Sequence, residues 1–171
     1  KQYKNVYVVG FSTGSTIGLR LAEKYDIDKL VLLSPFIYIS YKWYYILPPE
    51  YYLTSVGKLI DGLPSNMTIV HVNDPQALKE YVKGDYFSFK ATRSALDLIK
   101  LVKDDIKKVK STVLIMQGKD DETTDYRSSE YVYDNISSTT KKLITLYKSN
   151  HLIPLDYEKR TVFREVNKFL S

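Results

Sequence analysis

Apolar residues along this chain fall into two alternating patterns. Short aliphatic runs recur at Val6–Val9, Leu30–Leu33, Val113–Met116 and Leu143–Tyr147. Runs of that length with little polar alternation predict strands buried on both faces. Between them, apolar residues recur at three- and four-residue intervals, which predicts helices at Ser15–Tyr25, Ala91–Lys108, Tyr126–Asn135 and Tyr157–Leu170. The inward stripe is Ala95, Leu98, Ile99 and Val102 in the second of these helices and Val162, Val166, Phe169 and Leu170 in the last. Repeated strand–helix units predict a parallel sheet with right-handed crossovers and helices on both faces.

Residues 36–90 break this rhythm. They hold Pro48-Pro49, Gly57, Gly62, Pro64, Pro75 and Gly84, with short strand-like or helical pieces between. Met67–Val72 reads as a strand, with Tyr51–Leu53 as a hairpin partner. An irregular stretch of this length inside a compact domain usually serves function. It is expected to be a cap, about 36–90, over the carboxyl ends of the strands. The whole chain, 1–171, is expected to form a single α/β domain, a length sufficient for a sizeable core.

The first strand runs into Gly10-Phe11-Ser12-Thr13-Gly14 and then a helix. A serine at the apex of a tight strand-to-helix turn needs small neighbours, because its backbone is strained and the crossing segments pass close by; Gly10 and Gly14 are expected to give that room. The turn would lift the Ser12 hydroxyl off the sheet edge and place the Thr13 N–H, at a helix N-terminus, where an oxyanion could form. A Gly/Ser-rich turn of this kind also suits a phosphate, but the spacing of Gly10, Gly14 and Gly18 is not the dinucleotide fingerprint, and no Walker lysine follows.

A serine nucleophile needs a base and a carboxylate to orient it. Of the two histidines, His71 sits in a strand-like Ile-Val-His-Val stretch, where a structural or surface role is expected. His151 follows the fourth strand, in the kind of loop where parallel-sheet proteins keep their chemistry. Asp120 and Asp121 both follow the third strand, within Gly118-Lys119-Asp120-Asp121-Glu122. A solvated acidic turn is the ordinary reading of such a run. The order serine, acid, histidine, each after its own strand, raises it above that.

Composition narrows the picture. Hydrophobic content of 44% and charged content of 26% are those of a globular protein. The net charge of +5 is spread along the chain, and the Lys100–Lys110 run is interleaved with Asp104 and Asp105, as on a solvated helix face rather than a nucleic-acid footprint. With no cysteine, disulfides and thiolate metal sites are excluded. No signal-type segment or bilayer-spanning apolar run is present, and a cytoplasmic location is expected. Tyrosine is abundant, 16 in all. An aromatic cluster of Phe36, Tyr38, Tyr41, Trp43, Tyr44, Tyr45 and Leu47 fits either an apolar acyl or aryl pocket or plain packing of a cap.

The Gly10–Gly14 turn, the Leu114–Asp121 strand and turn, and Ser149-Asn150-His151 together resemble the α/β-hydrolase superfamily, and within it small bacterial carboxylesterases and monoacylglycerol-lipase-like serine hydrolases. The resemblance is close at 5–35 and 91–171 and loose between. It implies Ser12 as nucleophile, His151 as base and Thr13 N–H as oxyanion donor. It selects Asp121 over Asp120, because the family acid lies three residues after the small residue ending the strand. Tyr38, Tyr41, Trp43, Tyr44 and Leu47 are the candidate substrate-binding side chains.

The implied activity is hydrolysis of a carboxylic ester of small or lipid-like acyl groups, with no cofactor and no metal. A thioesterase or amidase on the same triad, or a non-catalytic protein using the fold for association, are the alternatives. Members of the superfamily have some four strands before the elbow strand, whereas this chain opens on it. The expectation is therefore the C-terminal part of the fold, about four parallel strands, with the first strand on an edge. The second oxyanion donor would be missing, and pairing through that strand with another copy or with an N-terminal segment is expected.

Overall fold

The computed structural model describes residues 3–40, 62–64, 70–81 and 86–171. Among these, the elements in chain order are β1 (Tyr7–Phe11), α1 (Thr13–Lys24), β2 (Lys29–Leu33), β3 (Gly62–Pro64), α2 (Pro75–Glu80), β4 (Tyr86–Ser88), α3 (Phe89–Asp105), a 3-10 turn (Ile106–Lys108), β5 (Thr112–Gly118), α4 (Arg127–Asn135), β6 (Lys141–Leu146) and α5 (Lys159–Leu170).

The four predicted core strands pair in parallel in the order β1-β2-β5-β6. One cross-strand row runs Gly10, Leu32, Ile115, Leu143. Alternation along each strand splits the core into two layers. Leu30, Leu32, Val113 and Ile115 pack against Leu19, Ala22, Ile99, Val102 and Val132 of α1, α3 and α4. Val31, Leu33, Leu114 and Met116 face Val162 of α5 on the other side. This is a parallel sheet covered on both faces, as the apolar runs predict. Each fully buried Leu, Ile or Val contributes about 1.5–3 kcal/mol through burial, so the two central strands, β2 and β5, anchor the domain.

Among the described residues β1 lies at one edge of the four-stranded sheet and β6 at the other. Val8 packs into the first layer. On the other face Phe11 packs against the second layer, while Tyr7 and Val9 are 41% and 51% exposed.

Several boundaries move for identifiable reasons. α1 begins at Thr13 rather than Ser15, because the chain enters the helix directly from the turn. Ser15 is no cap; its hydroxyl donates to Gly10 O at 2.8 Å and Leu33 O at 3.0 Å, tying the helix to the sheet. α3 starts at Phe89, where the Ser88 hydroxyl accepts from Ala91 N–H. β6 starts at Lys141 rather than Leu143. Lys141 and Lys142 hide the strand pattern, yet their ammonium groups reach Tyr133 O and Glu165.

The Met67–Val72 strand is not borne out where it is described, since residues 70–72 are not in a strand. Residues 67–69 and the proposed partner Tyr51–Leu53 lie outside the described residues. The small antiparallel pair is instead β3 with β4, Gly62↔Ser88 to Pro64↔Tyr86.

Gly10 and Gly14 are not equivalent. A Cβ on Gly10 would sit 2.4 Å from Gly14 O and 2.7 Å from Ser15 Cα, both backbone atoms that cannot swing aside. A Cβ on Gly14 would meet nothing within 4 Å, so the expectation that Gly14 makes room is corrected. Gly10→Ala is expected to lower the unfolding free energy by about 1–3 kcal/mol as an overpacked site. Gly14→Ala should be neutral or stabilise by up to about 1 kcal/mol, as for Gly to Ala in a helix. Urea denaturation of the two variants checks the contrast.

Candidate active site

Three loops at the carboxyl end of the sheet converge, one after β1, one after β5 and one after β6. Each brings one of the side chains singled out by the sequence. Ser12 sits at φ 54°, ψ −121° between β1 and α1. A non-glycine residue in that region costs about 1–3 kcal/mol and persists only when its surroundings fix it. Here Ser12 N–H donates to Leu33 O at 2.9 Å, Ser12 O accepts from Ser15 N–H at 2.9 Å, and the Gly10–Gly14 contact leaves no room to relax.

Ser12 Oγ lies 3.0 Å from His151 Nε2. On the other side of the ring, His151 Nδ1 lies 2.9 Å from Asp121 Oδ2 and 3.1 Å from Oδ1. Acid and histidine are both buried. With Nδ1 donating to the carboxylate, Nε2 is left as an acceptor facing the serine hydroxyl. Phe11 covers one side of the imidazole, ring centroids 5.2 Å apart. Asp120 is exposed and has no place in this chain of contacts.

Burial works to raise the Asp121 carboxyl. It is outweighed by the hydrogen bond and charge of His151 and by the Thr124 and Thr123 N–H groups, so the carboxyl is held below the usual range. Oδ1 accepts from both of those amides at 2.9 Å, and Oδ2 accepts from Thr124 Oγ1 at 2.8 Å and more weakly from Gln117 Nε2 at 3.3 Å. Asp121 therefore presents a fully hydrogen-bonded anion to the imidazole.

The histidine loop is tied down separately. A Cβ on Gly118 would lie 2.3 Å from Ser149 O, so the end of β5 and the histidine loop touch backbone to backbone. Ser34, itself at φ 45°, donates its hydroxyl to His151 O at 2.9 Å. Asn150 Oδ1 accepts from His151 N–H and Glu122 N–H, joining the histidine and acid loops.

Sequence reasoning did not assign roles to Gln117, Asn150, Ser34 or Asp156. Gln117 carried a signal, an amide in an otherwise apolar strand that must find buried partners. It donates to Thr124 O and accepts from Ser129.

His71 lies nearby, with Nδ1 3.0 Å from Glu122 Oε2 and its carbonyl accepting from Leu152 N–H. It makes no contact with the serine, in keeping with a structural role, but it is not in a strand.

A cavity of about 510 Å³ opens beside Ser12 and Thr13. Its walls are Phe36 and Ile39 after β2, Tyr86, Phe87 and Ser88 of β4, Ala91, Thr92 and Ala95 of α3, and Thr123. Thr13 is the first residue of α1, where backbone N–H groups lack intrahelical acceptors. Tyr38 is not in this wall. Its ring meets Tyr131 edge-on at 5.7 Å, with Lys103 Nζ 4.0 Å from its centroid, so it packs the 36–40 segment onto α3 and α4. Tyr41, Trp43, Tyr44, Tyr45 and Leu47 lie outside the described residues. A second cavity, about 520 Å³, lies at the opposite end of the sheet around Glu23, Asp28 and Lys108, far from these loops. No group of three or more His, Cys, Asp or Glu side chains among the described residues is arranged to hold a metal ion.

A serine on a strained strand-to-helix turn, with an acid and a histidine following on later loops of the same parallel sheet, defines the α/β-hydrolase class. The chain belongs to the family described as serine aminopeptidase, S33 (Hydrolase_4), which matches residues 1–158. It is 23% identical over 169 residues to a carboxylesterase of Bacillus subtilis, covering 99% of this chain and 65% of that protein. Among solved structures, one of the two metagenome-derived lipolytic enzymes LipS and LipT superposes with a TM-score of 0.83 at 17% identity, covering 97% of this chain and 64% of the other. A monoacylglycerol lipase of Paleococcus ferrophilus gives 0.79 at 21%, with 95% and 66% covered. At these identities the structural likeness establishes the fold. The chain thus spans about two thirds of the length of the relatives it matches.

Because the Asp121 carboxyl titrates lower in the folded state than when unfolded, it contributes stability that is complete above the ordinary aspartate value of about 3.9. That contribution is lost as pH falls through the lower, folded value. Urea unfolding between about pH 6 and about pH 2 should show the native chain losing stability on the acid side. Asp121→Asn should lose less over the same interval; equal acid slopes would count against the carboxylate's role.

Proposed function

We propose that this chain hydrolyses carboxylic esters through an acyl-enzyme intermediate at Ser12. The observation that carries the reading is the continuous run of contacts from Ser12 Oγ through both nitrogens of His151 to Asp121. Ser12 Oγ attacks the ester carbonyl while His151 Nε2 takes its proton. Asp121 fixes the tautomer and stabilises the imidazolium that forms. The Thr13 N–H donates to the oxyanion, one donor of a kind typically worth about 10²–10³ in rate. His151 returns the proton to the leaving alcohol. Water, deprotonated by the same imidazole, then attacks the acyl-serine carbonyl; the bond to Ser12 Oγ breaks, His151 returns the proton to that oxygen, and the acid is released.

The cavity supports an ester carrying a small or lipid-like acyl group. Phe36, Ile39, Phe87, Ala91 and Ala95 offer apolar contact beside the nucleophile. The family description raises a second reading, release of N-terminal amino acids. Recognition of a free ammonium group needs an acceptor of opposite charge near the carbonyl. The apolar side chains that make up much of the described cavity wall favour the ester.

Ser12→Ala, His151→Ala and Asp121→Asn should each lower kcat on p-nitrophenyl esters by at least about 10³, and pairs of them should add little more. Asp120→Asn should change kcat by less than about threefold, since it touches none of the three groups. A serine-directed phosphonate followed by mass spectrometry tests the reading apart from turnover. Labelling at Ser12 supports it, and a folded chain left unlabelled would point to a non-catalytic protein that uses the fold for association.

A further inference from the structure

Asp156 follows the histidine loop, and its side chain is completely buried. Its carboxylate is held by four main-chain amides. Oδ2 accepts from Asn150 N–H at 2.7 Å and Asn73 N–H at 2.9 Å, and Oδ1 from Tyr157 N–H at 2.8 Å and Asp74 N–H at 2.9 Å. Burying a carboxylate is expensive unless its lone pairs are satisfied. What this one joins is therefore informative. Asn73 and Asp74 belong to the segment that leads into α2, whereas Asn150 is the residue before His151.

The connection continues through the Asn150 side chain. Its Oδ1 accepts from His151 N–H at 2.9 Å and from Glu122 N–H, next to Asp121, at 3.0 Å. Its Nδ2 donates to Asn73 Oδ1 at 3.3 Å, closing the circuit. Resting on the triad reading above, we infer that Asp156 is a positioning residue: through Asn150 it locks the 73–74 segment to the histidine and acid loops, and so sets the His151–Asp121 contact. Neither Asp156 nor Asn150 bonds to Ser12 or lines the described cavity wall, so their effect on chemistry passes through His151 and the acid loop.

Asp156→Asn keeps the side-chain volume but turns an NH2 group toward amides that need an acceptor. At least one pair of them must part from the side chain. Displacements of about an ångström in a catalytic group can cost on the order of 10² in rate. Asn150→Ala is the complementary variant; it leaves Asp156 and its four amides in place and removes only the link to the two loops.

The readouts are the far-downfield proton resonance of His151 Nδ1–H in the 171-residue chain and the rate of Ser12 labelling by a phosphonate. In both variants, with the rest of the amide spectrum retained, the resonance should broaden or move upfield and labelling should slow by about 10–100-fold. A folded variant with the native resonance and labelling rate would overturn the inference, and if Asp156→Asn does not fold, Asn150→Ala decides. If the native chain is not labelled, it is the hydrolase reading that fails, while the resonance comparison still decides the positioning role.

Discussion

The close crossing of β1 and α1 at Gly10 is the constraint on which the site depends. The helix starts one residue after Ser12, so its first turn lies directly against the end of the strand that precedes it. A Cβ on Gly10 would overlap the Gly14 carbonyl. With that approach fixed, and with Ser15 bonded to both Gly10 O and Leu33 O, the intervening residue has no extended or helical conformation open to it. Ser12 is forced to positive φ. The same geometry that strains the residue lifts its hydroxyl off the sheet edge and toward His151. The strain is maintained by the sheet rather than by the site, because Leu33 is paired with Met116 in the most buried part of the core.

Placement of the other two groups follows a different logic. Asp121 and His151 sit on loops, and loops of this length have conformational freedom that strands do not. Each is restrained by backbone contacts to buried polar atoms: the Asp121 loop through Thr123, Thr124 and Gln117, the His151 loop through Ser34, Gly118 and Asn150. Removing water raises the cost of leaving any of these atoms unpaired, so the preference for one arrangement grows as the site dries. Amides and a hydroxyl saturate the carboxylate that faces the imidazole and hold its carboxyl below the usual range.

Much of this was legible in the chain. The four buried strands and the helices between them follow from apolar periodicity, because burial on both faces leaves an unmistakable run such as Leu30–Leu33. Ser12 and His151 follow from chemistry placed at strand ends, which leaves Asp120 and Asp121 both open; the resemblance to the hydrolase superfamily is what selects Asp121. What escaped was information carried by tertiary contacts. Lys141 and Lys142 look polar in sequence, yet they begin a strand because their ammonium groups find Tyr133 O and Glu165 in three dimensions. Tyr38 belongs by composition to an aromatic cluster, but Lys103 and Tyr131 draw its ring onto the helices. Gly14 resembled Gly10 because both flank the serine, and only the path of α1 distinguishes them. Asp156 carried no periodic or motif signal, since its partners are main-chain amides that any residue type supplies.

The contacts divide the site into two parts. Ser12, Asp121 and His151 hang from β1, β5 and β6, whose register is set by the core. The described cavity wall comes from the segment after β2, from β4 and from the first turns of α3, where Ala91 and Ala95 are small and Phe87 is 40% exposed. Changes in that wall alter the space beside Ser12 without disturbing the strand register. The 70–74 segment is joined to the histidine loop separately, where His71 O accepts from Leu152 N–H and where Asn73 and Asp74 N–H donate to the Asp156 carboxylate. Those joints run through main-chain atoms, so they persist under most side-chain substitutions in 70–74. The wall and the three loops meet at Thr123, which lines the cavity and donates its N–H to Asp121 Oδ1, so a change of backbone there would be felt on both sides, whereas a change at Ala91, Ala95 or Phe87 would stay within the wall.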